Sequence, residues 1–196
     1  RFPNFTEPDP SYHGLAFWPA LGDGSFIIKA RVQLLRDLGS AISPQNAFYF
    51  LQGLETLSLR MERHFSNAQG VAEFLESHPQ VEGVQYAGLE SSPWHDRLQS
   101  LGNGQGYGSV PAFVIKGGAE AGSKFIDALE LHSHVANIGD VRSLAIHPAS
   151  TTHSQLSESE QLDAGVSAGL IRLSVGLETL DDIVEDLEKG FAASEK

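Results

Sequence analysis

The 196-residue chain has no cysteine and a single methionine. Without cysteine it can form neither a disulfide nor a thiolate metal site. It also lacks any apolar run of the roughly 20 residues that a membrane-spanning helix needs, and no charged-then-apolar leader opens it. We therefore expect no membrane partner, and the absence of cysteine fits the reducing cytoplasm as the predicted location.

Positive charge is scarce as well. Lysine and arginine together number 13 against 25 acidic residues, which gives a net charge of −12. Because a nucleic-acid backbone attracts basic proteins, we expect no nucleic-acid partner. The apolar share of 41% is ordinary for a globular protein that buries a core.

The first residues predict a part of a longer protein. The chain begins with Arg1, and residues 1–24 contain four prolines and several aromatic residues without a clear period. Such a segment is typical of a loop that packs on another body. An apolar stripe then predicts a helix over residues 25–38, which Gly39 ends.

A long helix is predicted next. Ser43 is its N-cap, Pro44 its first residue, and apolar residues recur at steps of three and four up to the stop at His78-Pro79. A single helix over residues 44–77 would measure about 50 Å at 1.5 Å per residue. This length favours a helix that links two bodies.

From residue 79 onward the patterns predict a sheet covered by helices. Ser157 and Glu160 form a capping box, and Thr179 is predicted to cap the last helix. The predicted strands are 81–86, 110–115, the pair 135–138 and 144–146, and 169–176. The predicted helices that alternate with them are 94–101, 119–131, 157–165 and 179–191.

The strand around Arg172 is the candidate anion site. Ile171, Leu173 and Val175 alternate with Arg172 and Ser174, which predicts one buried and one freer face. A guanidinium on a stiff element is suited to bidentate binding of a carboxylate or phosphate. The alternative is an edge-strand arginine whose head lies in water. A turn at Asn137, Gly139 and Asp140 is expected nearby.

Other motifs give weaker signals. The glycines of 102–108 lead into a strand, whereas a phosphate cradle leads into a helix, so we interpret them as a mobile loop. The histidines lack metal-ligand spacing, and we expect no metal; they are His132, His134, His147 and His153. A triad of Ser143, His147 and Asp140 has no nucleophile elbow to support it.

Several motifs together resemble one known family. The sequence is similar to the C-terminal part of the Cys/Met-metabolism pyridoxal-phosphate enzymes, which include cystathionine synthases and lyases, methionine lyases and O-acetylhomoserine sulfhydrylases. Residues 2–14 and Asn137-Ile-Gly-Asp140 resemble the sulfhydrylase branch in particular. The motifs that carry the family resemblance are residues 53–57, 59–64, 137–153 and 169–178.

The resemblance implies the fold and its division. The fold class is α/β, with a small mixed or antiparallel sheet covered by helices, as in the C-terminal domain of fold-type I pyridoxal-phosphate transferases. Residues 1–43 would be a segment of the large cofactor domain, 44–78 the linking helix, and 79–196 the domain that binds the substrate carboxylate.

The resemblance also implies the chemistry. Arg172 would bind the α-carboxylate of the amino-acid substrate, with help from Asn137, while Ser143 and Thr152 would shape the site. The reaction would replace the acetate of O-acetyl-L-homoserine by sulfide, with pyridoxal phosphate as electron sink. The family's Schiff-base lysine lies outside this chain, so we expect no catalytic residue here and no activity without the missing N-terminal domain.

Some alternatives remain open at this point. Another member of the family, a cystathionine γ-synthase or a methionine γ-lyase, shares these motifs, and the fold could also serve as a non-catalytic binding or assembly module. By analogy with the family, a homo-oligomer, either a dimer or a tetramer, is expected.

Overall fold

The computed structural model describes residues 1–102 and 104–195, and these divide into two compact units, the first of them Arg1–Glu55 and the second beginning at Thr56. The predicted loop over 102–108 includes Asn103, which lies outside the described residues. Among those described, no helix combines the length and apolarity needed to cross a membrane.

The first unit consists of short helices with little buried between them. Its only buried residues are Phe17 and Ser25, whereas Phe26, Phe48 and Leu51 are all more than half exposed. Ser43 caps α5 as predicted, since its Oγ accepts a hydrogen bond from the Asn46 amide. The helices are α1 (Pro3–Thr6), α2 (Phe17–Leu21), α3 (Ser25–Lys29), a π-helix (Ala30–Leu35), α4 (Arg36–Leu38) and α5 (Pro44–Glu55).

The predicted long helix is interrupted at Thr56, where the backbone leaves the helical region with φ −110° and ψ 6°. Helix α6 (Leu57–Ser77) begins after this break, and the two compact units divide between Glu55 and Thr56. The apolar spacing runs through the break, so the pattern alone could not reveal it. Because Ala68, Val71, Ala72 and Leu75 of α6 are fully buried, α6 is part of the second unit's core.

A five-stranded sheet forms the centre of the second unit. Its order is β1-β2-β5-β4-β3, antiparallel except for the parallel pair β3–β4. The fold class predicted from the sequence is confirmed. The strands are β1 (Val81–Gln85), β2 (Ala112–Ile115), β3 (Ser133–His134), β4 (Leu144–Ile146) and β5 (Leu170–Ser174).

Helices pack against one face of this sheet. Phe113 of β2 meets Phe125 with ring centroids 5.5 Å apart, and Phe125 meets Phe191 at 4.9 Å in an edge-to-face contact. Ile171 and Leu173 of β5 belong to the same buried cluster. The helices that contribute to this cluster are α6, α8 (Gly118–Asp127) and α10 (Leu180–Ser194), and the second unit also contains α7 (His95–Gly102) and α9 (Glu158–Asp163).

The Ser157–Glu160 capping box is present as predicted. Thr179 is the N-cap residue of α10, as predicted, but its side chain makes no cap hydrogen bond. One local prediction was wrong. Residues 135–138 do not form a strand, because the amides of Val135 and Asn137 bond to carbonyls two residues earlier and the chain turns tightly there.

Asp186 of α10 fixes the chain that leads into β3. Its buried carboxylate accepts hydrogen bonds from the Glu130 amide at 2.8 Å, the His132 amide at 3.0 Å and His132 Nδ1 at 2.7 Å. Burial by itself raises the pKa of Asp186, but these donors outweigh it and hold the pKa below its usual value. The carboxylate is therefore ionised in the fold.

We expect Asp186→Asn to lower the free energy of unfolding by about 3 kcal/mol at pH 7, since it leaves buried donors without a charged acceptor. Because the pKa is lower in the folded than in the unfolded chain, this stabilisation is complete above the unfolded value of 3.8 and declines as the pH falls below it. Urea unfolding of both chains at several pH values measures the difference. A difference that grows on acidification would contradict the assignment, and Asp163→Asn on the exposed surface is the control.

Candidate functional site

Arg172 lies at the centre of the sheet, on the face opposite the helices. In β5 only Arg172 is not buried; Leu170, Ile171, Leu173 and Ser174 all are. The predicted alternation of a buried with a freer face is therefore absent. The alternative interpretation placed Arg172 on an edge strand. Strand β5 is internal, because it pairs with β2 on one side and β4 on the other.

The guanidinium of Arg172 has N–H donors without an acceptor. Its Nη2 donates to the Asn137 carbonyl oxygen at 3.2 Å, at the surface, while its Nε is buried and has no partner. Within the described residues no carboxylate forms an ion pair with it, in contrast to Arg36 and Arg142, which contact Asp37 and Asp140. A partly desolvated cation without an acid can bind an anion from outside.

The turn at 137–139 lies over the same face of β5. Gly139, with φ +81°, donates its amide to Ser174 Oγ at 3.2 Å, and Ser174 shares this face with Arg172. The structure thus brings Asn137 and Arg172 together, as the sequence predicted. The contact is made by the Asn137 carbonyl, and the exposed side chain of Asn137 is left beside it.

Ser143 belongs to a buried network at the end of β5. Its amide and hydroxyl donate to the two carboxylate oxygens of Glu178 at 2.7 and 2.9 Å, and its Oγ accepts from the Gly176 amide at 2.9 Å. A Cβ on Gly176 would approach the Ser143 amide nitrogen to 2.5 Å, so only glycine fits. The sequence patterns did not reveal Glu178 as a member of this network, although it lies only four residues beyond the end of β5.

Thr152, the other predicted site-shaping residue, is exposed and contacts its neighbour, with Oγ1 2.9 Å from His153 Nδ1. No hydrogen bond among the described residues joins Thr152 to Arg172. Its proposed role remains a prediction.

The remaining candidate motifs have other partners. His147 Nε2 lies 2.7 Å from the Ala168 carbonyl and its Nδ1 2.8 Å from Ser150 Oγ, whereas Asp140 contacts Arg142. Ser143, His147 and Asp140 therefore do not form a catalytic triad. No group of three potential metal ligands comes together within residues 1–102 and 104–195.

The comparisons agree on one family. A model of the "Cys/Met metabolism PLP-dependent enzyme" family matches residues 20–192. The chain is 57% identical to the O-acetyl-L-homoserine sulfhydrylase of Leptospira meyeri over 97% of its own length and 45% of that protein. It is 56% identical to the enzyme of the same name from Corynebacterium glutamicum over 98% of its length and 44% of that protein.

A solved structure gives the same picture. A Campylobacter jejuni protein described as an O-acetylhomoserine (thiol)-lyase, containing N'-pyridoxyl-lysine-5'-monophosphate, superposes with a TM-score of 0.82 at 44% identity. The match covers 97% of this chain and 45% of that one. The chain thus spans slightly less than half the length of the relatives that it matches.

The Ser143 network can be tested by its stability. We expect Ser143→Ala to lower the free energy of unfolding by about 1–3 kcal/mol, because the buried Gly176 amide loses its acceptor. Denaturant unfolding of the 196-residue chain measures this. Ser154→Ala, which removes an exposed hydroxyl bonded only to the nearby Thr151 carbonyl, should change it much less. Equal effects of the two variants would contradict the structural role of Ser143.

Proposed function

This chain belongs to the Cys/Met metabolism PLP-dependent enzyme family, and we propose that it is the substrate-carboxylate-binding C-terminal part of an O-acetylhomoserine sulfhydrylase. The full enzyme would replace the acetate of O-acetyl-L-homoserine by sulfide and give homocysteine in methionine biosynthesis. The names of the most similar relatives support this choice within the family.

The proposal rests on the guanidinium of Arg172, which bonds to the Asn137 carbonyl but has no carboxylate partner among the described residues. The substrate is an amino acid, whose α-carboxylate is planar and accepts the two parallel N–H bonds that a guanidinium offers. Strand β5 holds the arginine stem between two strands, and the Asn137 carbonyl orients one end of the head. In our proposal the substrate carboxylate satisfies donors that the fold leaves free.

Binding of the α-carboxylate would orient the substrate in the active site. A two-point grip on the carboxylate fixes the rotation of the α-carbon, so that the bonds to be broken face the catalytic groups. The Asn137 side chain is exposed beside the guanidinium and would add a donor to the same carboxylate. Both residues bind and orient the substrate in this proposal, and neither takes or gives a proton.

The family's cofactor is pyridoxal phosphate, which supplies the electron sink for bond breaking at the substrate. The described residues of this chain do not fit it alone, because none of the described lysines is buried in a site. Lys29 contacts Asp9, Lys124 contacts Glu120 and Lys189 contacts Glu130, while Lys116 donates to the Pro79 carbonyl. No described residue of this chain is therefore assigned a role in binding the cofactor.

The missing groups would come from the additional length of the relatives. In this proposal a preceding cofactor domain carries the lysine, and residues 1–43 belong to that domain. The largely unburied first unit supports this arrangement, because it buries too little apolar surface to be stable by itself. A cytoplasmic location and assembly into dimers or tetramers remain predictions.

The Arg172 assignment is tested in a full-length polypeptide that carries this chain. We expect Arg172→Ala to lower kcat/KM for O-acetyl-L-homoserine by about 10- to 100-fold, mainly through KM, as for the loss of a charged hydrogen-bonded pair of about 1.5–3 kcal/mol. Arg142→Ala, another arginine near the turn but paired with Asp140, is the matched control. Unchanged steady-state kinetics in Arg172→Ala would refute the carboxylate site at Arg172.

The division between chain and cofactor domain has its own test. Incubated with pyridoxal phosphate and then desalted, the 196-residue chain should retain no stoichiometric cofactor absorbance, because none of its described lysines is buried in a site that would hold the cofactor. The full-length polypeptide treated in the same way is the positive control. A stoichiometric band in the short chain would show a cofactor site that our proposal lacks.

A further inference from the structure

Helix α6 presents two buried polar side chains to the chain that follows β5. His64 and Asn67 are 2% and 3% exposed. His64 Nδ1 lies 2.6 Å from the Val175 carbonyl oxygen, so Nδ1 carries the proton and donates it. Asn67 Nδ2 donates to two carbonyls, those of Gly176 at 3.0 Å and Glu178 at 2.9 Å.

These bonds complete the backbone where the sheet ends. Strand β5 stops at Ser174, and the carbonyls of Val175 and Gly176 lie in a buried segment beyond it. A buried carbonyl without a donor costs free energy, so α6 satisfies groups that the ladder cannot reach. An apolar side chain at either position would fill the space but leave the carbonyls unpaired.

The same short segment is bonded on its other side to the turn of the candidate site. The Gly176 amide donates to Ser143 Oγ, and the Leu177 amide donates to the Val141 carbonyl at 2.9 Å. Val141 follows the turn that supplies the Asn137 carbonyl to Arg172. Residues 175–178 therefore connect α6, the arginine strand and the turn.

We infer that Asn67 and His64 are positioning residues for the carboxylate site: by fixing residues 175–178 they set the distance between the Arg172 guanidinium and the Asn137 turn. This inference rests on the proposed function of Arg172. Neither side chain touches the substrate, and both act through the backbone next to the residues that do. A purely structural role would change stability and leave substrate binding as it is.

The experiment uses full-length polypeptide with bound cofactor. Asn67→Leu keeps the number and branching of the side-chain heavy atoms and removes the donor. We expect it to raise KM for O-acetyl-L-homoserine about tenfold, equivalent to about 1.4 kcal/mol, with kcat changed less than about twofold. Ser66→Ala on the exposed face of α6 is the control and should leave both constants unchanged. A stability loss in Asn67→Leu with an unchanged KM would overturn the inference.

A matched pair at His64 covers the case in which Asn67→Leu does not fold. The amide nitrogen of asparagine reaches the place of Nδ1, whereas that of glutamine reaches the place of Nε2. His64→Asn should therefore keep KM near the parent value, and His64→Gln should raise it. Equal KM values for the two variants would overturn the inference.

A double-mutant cycle distinguishes this inference from the proposed function. If Asn67 acts through Arg172, Asn67→Leu should raise KM less than about twofold when Arg172 is already alanine. A full tenfold increase in that background would show that Asn67 acts independently and would overturn the inference alone. If Arg172→Ala itself left KM unchanged, the proposed function would fail and the positioning inference with it.

Discussion

The constraint on which the site depends is the position of one cation in the middle of a sheet. Strands on both sides of β5 exclude water from the Arg172 stem, so Nε is buried without a partner. Leaving such a donor unsatisfied has a cost that an acidic neighbour or a bound anion would remove. Among the described residues, the Asn137 carbonyl is the only group that accepts a hydrogen bond from the guanidinium, so its other N–H donors stay free for a ligand.

The surrounding structure keeps this arrangement rigid. Ile171 and Leu173 anchor one face of β5 in the helix-covered core, so the strand cannot shift by one residue without burying Arg172 there. Beyond the strand, α6 and the Ser143–Glu178 network hold the segment that follows. Packing thus fixes the strand register, and buried hydrogen bonds fix the strand end.

Local chemistry was predictable from the sequence, and long-range contacts were not. The capping box at Ser157 and the sheet with its covering helices follow from spacing within short windows. The break at Thr56 has no such signature, since the apolar repeat continues across it. Glu178 lies 35 residues from Ser143, and Asn67 lies 109 residues from Gly176, so only the folded chain places these residues together. The Arg172 strand was located, but its burial on both faces depends on strands distant in sequence.

The charge balance strengthens the functional interpretation of Arg172. Acidic residues outnumber lysine and arginine by 25 to 13, so acids to pair with a cation are plentiful in this chain. Even short-range pairs such as Arg142–Asp140 have formed at its surface. A half-buried arginine that has no carboxylate partner among the described residues is therefore not explained by a shortage of acids. An internal acid would neutralise the guanidinium permanently and compete with any carboxylate ligand, and its absence is what a site for an external carboxylate requires.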